Sequence, residues 1–139
     1  MRRYMIMKQF KELAHIAVLT KDMEASIAFY EKLGGVCAQR GSVRKPTGVN
    51  QLAMVQLAGF WLELIQPGDG TPVDAKGGVL PHLAIEVEDL PSCVEELKAM
   101  GINTFKTEKI NVLNDLFGGL QNIFFTGPDG ELIELIEHF

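Results

Sequence analysis

The chain reads as an α+β fold made of two βαβββ modules, on three observations. These are an internal repeat, a strand followed by a capped helix at the start of each copy, and three extended segments after each helix. Repeats are sought first because a recurring unit that cannot cover its own apolar face must bury it against its copy. His15-Ile16-Ala17-Val18, then Asp22, then Gly34 is matched by His82-Leu83-Ala84-Ile85, then Asp89, then Gly101, each 67 positions later. Trp61-Leu62-Glu63-Leu64-Ile65 is matched by Leu132-Ile133-Glu134-Leu135-Ile136 at an offset of 71, so loop lengths differ between the copies by four residues.

The opening segment, 15–18, alternates His and Ala with Ile and Val, which is the pattern of a strand with one covered face. Asp22 is placed to cap a helix whose Met23, Ile27, Tyr30 and Leu33 recur at helical spacing, and Gly34 can adopt the left-handed conformation that ends it. Extended segments follow at 36–44, 49–57 and 60–66. Pro67-Gly68-Asp69-Gly70-Thr71-Pro72, continuing to Gly77-Gly78, is loop chemistry between the copies.

The second copy opens on 82–85. Its helix is capped by Asp89, tolerates Pro91 in the first turn, carries Leu90, Val94, Leu97 and Met100 on one face, and stops at Gly101. Extended segments are expected at 103–109, 120–126 and 131–138, the last two joined by the tight turn Gly127-Pro128-Asp129-Gly130. A single module, about 12–67 or 80–139, is too small to cover both faces of its sheet, so the two sheets must share a core. Residues 12–139 are thus expected to form one domain, with 1–11 as an N-terminal extension of no assigned role.

Composition narrows the function classes. With 139 residues, 47% hydrophobic and 22% charged, the chain can bury one core and is neither a disordered segment nor a membrane protein. Its net charge of −5 opposes attraction to nucleic-acid phosphates or anionic lipid, so neither nucleic acid nor membrane is an expected partner. The first residues lack the apolar run of a secretory signal. Cys37 and Cys93 form no C-x-x-C pair, which favours two small core residues in a reducing cytoplasm over a disulfide or thiolate zinc site.

Strand alternation then points to a site. Ile16 and Val18 take the helix-covered face, leaving His15 and Ala17 opposite, and Leu83, Ile85 and Val87 likewise leave His82 and Ala84 opposite. Glu63 shares its face with Trp61 and Ile65, and Glu134 with Leu132 and Ile136. A carboxylate among apolar neighbours is costly without a partner, and a divalent cation would keep it charged. The repeat thus offers two His and two Glu at matching positions, a set suited to Zn²⁺, Ni²⁺, Co²⁺, Mn²⁺ or Fe²⁺, one ion per site.

These residues carry a resemblance. His15-Ile-Ala-Val, the helix end Phe29-Tyr30-Glu31-Lys32-Leu33-Gly34-Gly35, Leu62-Glu63-Leu64, Pro81-His82-Leu83-Ala84-Ile85-Glu86-Val87, and Gly127-Pro128-Asp129-Gly130-Glu131-Leu132-Ile133-Glu134-Leu135 together resemble the vicinal oxygen chelate superfamily over about 12–138. That superfamily includes glyoxalase I, methylmalonyl-CoA epimerase, fosfomycin-resistance proteins, extradiol dioxygenases and bleomycin-binding proteins. The resemblance implies an open, curved, mixed-sheet barrel around a metal held by His15, Glu63, His82 and Glu134. The His/Glu/His/Glu set looks most like glyoxalase I. It implies a lyase or isomerase that moves a proton next to a carbonyl, with Glu134, or Glu63 from the opposite side, as general base.

The implied substrate is a small thiol adduct, or secondly a thioester as in an epimerase, and the implied assembly is a homodimer. A metal-free protein that binds a small molecule or antibiotic in the same fold is the reading from another class. One departure counts against the epimerase: the additional Glu used before strand four has no counterpart, since no Asp or Glu lies between Glu31 and Glu63. Arg40, Arg44 and Lys45 are either a clamp for substrate carboxylates or a solvated edge. The loop 114–119, with Leu116-Phe117, is either a lid or a loop with a buried anchor. Trp61 is a pocket lining or barrel filling, and His138 is read as a solvated tail residue.

Overall fold

Both helices begin and end as their sequences dictate. The computed structural model describes residues 7–9, 11–74, 76 and 78–139, so most of the expected 1–11 extension lies outside the described residues. Helix α1 spans Met23–Lys32 and helix α2 spans Leu90–Ala99. Asp22 accepts from the Ala25 N–H and Asp89 from the Ser92 N–H, satisfying donors that a first turn leaves bare. Gly34 and Gly101 follow the last turns at φ 94° and 86°. Around them Gly35 N–H returns to Tyr30 C=O and Ile102 N–H to Leu97 C=O, the same C-terminal closure in both copies.

Eight strands frame these helices: β1 Ile16–Leu19, β2 Val36–Lys45, β3 Gly48–Leu57, β4 Phe60–Gln66, β5 Leu83–Glu86, β6 Asn111–Leu113, β7 Leu120–Thr126 and β8 Leu132–His138. They form two curved four-stranded mixed sheets, ordered β1-β4-β3-β2 and β5-β8-β7-β6. The copies therefore share one topology, βαβββ, and neither sheet closes into a barrel. The first strand of each lies parallel to the last, with Ala17 opposite Glu63 and Ala84 opposite Glu134.

Alternation sorts the side chains as expected. Leu62 and Leu64 of β4 and Ile133 of β8 are fully buried on the helix-covered faces, in one apolar cluster with Tyr30, Leu90 and Phe125. Each fully buried aliphatic or aromatic side chain of this kind stabilises the fold by about 1.5–3 kcal/mol before entropy is charged against it. The cluster is continuous between the copies: Phe29 of α1 stands 6.4 Å from Phe125 of β7. Polar bonds follow the same route, with the Tyr30 hydroxyl donating to Glu131 at 2.8 Å and the Lys21 N–H to Asp129 at 2.8 Å.

A further repeated device joins each last strand to its helix. The Gln66 side-chain oxygen, at the end of β4, accepts from the Met23 N–H at the start of α1. Glu137 of β8 accepts from both Asp89 and Leu90 N–H at the start of α2. Those two N–H groups and the Gln121 amide hold the Glu137 carboxyl below its ordinary value, the Leu90 bond foremost.

Several expectations need correcting. The segment 103–109 is not a strand: it holds one apolar residue, Phe105, which makes a single bridge to Phe125, and the backbone bends until pairing starts at Asn111. Cys37 and Cys93 are half-buried against the core rather than inside it. The loop 114–119 has no buried anchor, because Phe117 is 80% exposed with φ 47°. His138 is exposed but not merely solvated: its Nδ1 lies 2.6 Å from Glu86. Arg40 pairs with Glu24 and Lys45 with Asp69, so these cations tie β2 to α1 and to the loop after β4. No helix among the described residues is long and apolar enough to cross a membrane.

Candidate functional site

The four expected ligands stand on the uncovered faces of the two sheets, two per sheet. His15 and His82 each sit one residue before a strand, β1 and β5, and reach diagonally across to the neighbouring parallel strand. His15 Nε2 lies 3.4 Å from Glu63 Oε1, and His82 Nε2 lies 3.1 Å from Glu134 Oε1. The residue beside each carboxylate in register is alanine, Ala17 or Ala84, whose small side chain leaves the space above it open. The repeat in sequence has become a repeat in geometry.

The pairs suit a divalent ion by donor chemistry and by spacing. Each supplies one imidazole nitrogen and one carboxylate oxygen, and adjacent ligands at about 2.0–2.2 Å from a common ion stand about 3.0–3.4 Å apart. The structure does not bring the four together: the sheets are separate, and among the described residues no three His, Cys, Asp or Glu side chains converge in a metal-holding group. What each sheet presents is half of a four-ligand set.

The halves differ in their surroundings. Glu134 is nearly buried, its side chain 11% exposed, against 20% for Glu63. Its second oxygen accepts from the Asn122 side-chain N–H at 2.9 Å, and Asn122 in turn accepts from Asn111 at 3.1 Å. His82 rests against the edge of Phe124, ring centroids 5.4 Å apart, and Phe124 pairs directly with Glu134 across β7 and β8. The sequence reading did not single out Asn122 or Asn111. A signal existed: an Asn inside the apolar run of β7, two residues from Phe124, must face the same side as Glu134.

A cleft of about 390 Å³ lies between β1 and the start of β5, lined by Ala17, His82, Leu132, Lys76 and Lys106 among others. It offers one candidate ligand, apolar walls and mixed charge, Lys76 and Lys106 together with Asp74, Asp129 and Glu131. Trp61 stands on the Glu63 face of β4, partly exposed beside that half.

The chain is similar to known proteins. The chain matches the family model described as the glyoxalase/bleomycin resistance protein/dioxygenase superfamily over residues 14–115. It is 35% identical over 134 residues to the uncharacterized protein YwkD of Bacillus subtilis (strain 168), covering 91% of this chain and 97% of that one. It is 28% identical over 102 residues to human mitochondrial methylmalonyl-CoA epimerase, covering 69% of this chain and 57% of the epimerase. Among solved structures, a glyoxalase family protein from Enterococcus faecalis superposes with a TM-score of 0.70 at 30% identity, covering 92% of this chain and 98% of that one. Paired βαβββ modules, a matched His and Glu on each open sheet face, and a family match over most of the length lead to one conclusion: the chain belongs to the glyoxalase/bleomycin resistance protein/dioxygenase superfamily.

Proposed function

We propose that the chain is a metal-dependent lyase or isomerase that moves a proton at the carbon next to a carbonyl, of the lactoylglutathione lyase (glyoxalase I) kind. The observation that carries this reading is the pair of repeat-equivalent His–Glu sets with N···O separations of 3.4 and 3.1 Å. His15, Glu63, His82 and Glu134 are the residues that would hold the ion, whether zinc, nickel, cobalt, manganese or iron. When bound, such an ion supplies Lewis-acid stabilisation of the negative charge that grows on a substrate oxygen.

The chain's own residues do the rest. Glu63 or Glu134 would take the proton from the substrate carbon and return it to the neighbouring carbon. The cleft beside His82 has apolar walls that would seat the uncharged part of a small substrate, with Lys76, Lys106, Asp74, Asp129 and Glu131 also in its lining. An acyl-CoA epimerisation is the second reading, favoured by the 28% identity to methylmalonyl-CoA epimerase. Hemithioacetal and acyl-CoA substrates assayed side by side separate the two.

Because each sheet presents half a set, the reading includes a cytoplasmic homodimer in which the first half of one chain faces the second half of its partner. Metal retained per chain after reconstitution with zinc, in wild type, His15→Ala and His82→Ala, tests the centre. Mixing and reassembling the two variants tests the sharing: sites across chains restore about one quarter of wild-type metal, because half the dimers are mixed and each regains one of two sites. No restoration refutes the sharing. No retained metal in wild type refutes the enzyme reading and favours a metal-free binding protein of the same fold.

A further inference from the structure

The edges of the two sheets are not defended alike. A bare strand edge invites another strand to pair with it, and proteins blunt such edges with charge, proline, a bulge or shortness. The outer edge of the first sheet, β2, carries Arg40, Arg44, Lys45 and a register shift between Cys37 and Gln39, and the outer edge of the second, β6, has three residues. The edge strand β1 is Ile16-Ala17-Val18-Leu19, regular in register and without a charge. Its one neighbour is β4, and just beyond it the Thr20 N–H donates to the Ile65 C=O at 2.8 Å. Bonding alternates along a parallel ladder, so Ile16, Val18 and Thr20 turn their amides to β4 while Ala17 and Leu19 turn theirs away from it. All four β1 residues line the cleft of about 390 Å³, which is where those outward amides lead.

The cleft also holds charges of both signs that do not satisfy one another. Lys76 and Lys106 form no ion pair among the described residues. Asp129 accepts the Lys21 N–H on one oxygen, and its other oxygen is buried with no hydrogen-bond partner. Glu131 differs, since its oxygens are already taken by the Tyr30 hydroxyl and the Asp129 N–H. A buried carboxylate oxygen without a donor is costly, and a cation seated beside it removes that cost.

We infer that this cleft binds a short free peptide of two or three residues, added as an extended strand along β1 and antiparallel to it. Asp129 stands beside Lys21, just past the C-terminal end of β1, and takes the peptide ammonium. The backbone of Ala17 and Leu19 pairs with the peptide backbone, Lys76 and Lys106 meet its carboxylate, and Leu80 and Leu132 cover its side chains. Strand addition draws affinity from main-chain bonds and selectivity from the pockets and charges around them. The four residues of β1 span about 13 Å, room for three extended residues. A single amino acid carries both charges but has no internal amide to pair with β1. Binding at this wall uses none of the metal ligands proposed above.

The test titrates the tripeptide Ala-Leu-Ala into the metal-free full chain, so that its outcome is independent of the metal centre. Calorimetry reads affinity, and nitrogen-resolved proton spectra read the place. The Ala17 and Leu19 amide protons are expected to shift downfield on binding, and those of Ile16 and Val18 to move less. Acetylating the peptide N-terminus, amidating its C-terminus, or methylating its central amide nitrogen is each expected to weaken binding about 10-fold or more.

Two variants assign the ends. Asp129→Asn keeps an acceptor for the Lys21 N–H and removes the charge, so it is expected to weaken the free peptide about 10-fold and the acetylated peptide little. Lys76→Gln combined with Lys106→Gln is expected to do the same for the free against the amidated peptide, and both lysines are exposed, so the fold is not at issue. No shift at Ala17 and Leu19 with the peptide at about 10 mM, or four peptides that bind alike, overturns the inference. A β1 edge already covered by a second copy of the chain gives the first of these results.

Discussion

Replacing Tyr30 with Phe keeps the ring and deletes one hydroxyl, which isolates a bond that joins the two copies. Tyr30 is fully buried on α1, and its hydroxyl donates to Glu131 at 2.8 Å, beside the turn between β7 and β8. No cavity opens, since Phe fills almost the same volume, so the loss is the hydrogen bond alone. A bond to a charged acceptor is worth about 1.5–3 kcal/mol, and about 2 kcal/mol is expected here because Glu131 keeps the Asp129 N–H on its other oxygen. At about 2.1 cal/mol/K per residue, the unfolding entropy of this chain is about 0.3 kcal/mol/K, and the melting temperature should fall by about 7 °C.

Urea unfolding and calorimetry, with Glu131→Ala and the double variant closing a cycle, measure the coupling. Burial foremost, and then the Glu131 charge, raise the Tyr30 hydroxyl above its ordinary value. The contribution is therefore full below the unfolded tyrosine value of about 10 and is lost only as pH climbs above it. A Tyr30→Phe loss under about 0.5 kcal/mol, or a coupling near zero, would refute the reasoning.

Two further outcomes follow from the same geometry. Glu137 is held below its ordinary value, so its contribution is present above about pH 4.3 and disappears as pH falls through the folded value. Glu137→Gln should flatten the acid limb of stability between pH 6 and pH 3, and an acid limb parallel to wild type would count against the assigned bonds. A Cβ on Gly68 would press into the Val49 carbonyl, whereas one on Gly41 would meet nothing within 4 Å. Gly68→Ala should cost about 2 kcal/mol or more and Gly41→Ala stay within about 0.5 kcal/mol by urea midpoint; equal costs would show that the close approach is not what constrains position 68.

Much of this molecule was legible in its sequence for identifiable reasons. Helix limits were visible because Asp22, Asp89, Gly34 and Gly101 act on their immediate neighbours, and local chemistry is written locally. The faces of His15, Glu63, His82 and Glu134 were visible because a strand's period of two fixes which side each residue takes. The sixth strand was expected at 103–109 and forms at Asn111–Leu113, because pairing depends on Asn111 meeting Asn122 beyond a bend that the local sequence does not announce. The spacing between the two His–Glu halves was not legible either. It is set by contacts such as Phe29 on Phe125, and alternation along one strand carries no information about the angle to another sheet.

The tether between each last strand and its helix also bears on how the protein responds to occupancy. Glu134 and Glu137 sit three residues apart on β8, one facing the candidate centre and the other clasping the first amides of α2. Over so short a distance a strand is close to rigid, so a ligand that draws Glu134 inward must also draw on the root of the helix behind it. Glu63 and Gln66 repeat the linkage to α1. The amides of Met23 and Leu90 are thereby built-in strain gauges, buried behind the sheets yet wired to the open faces, and each reports on its own half.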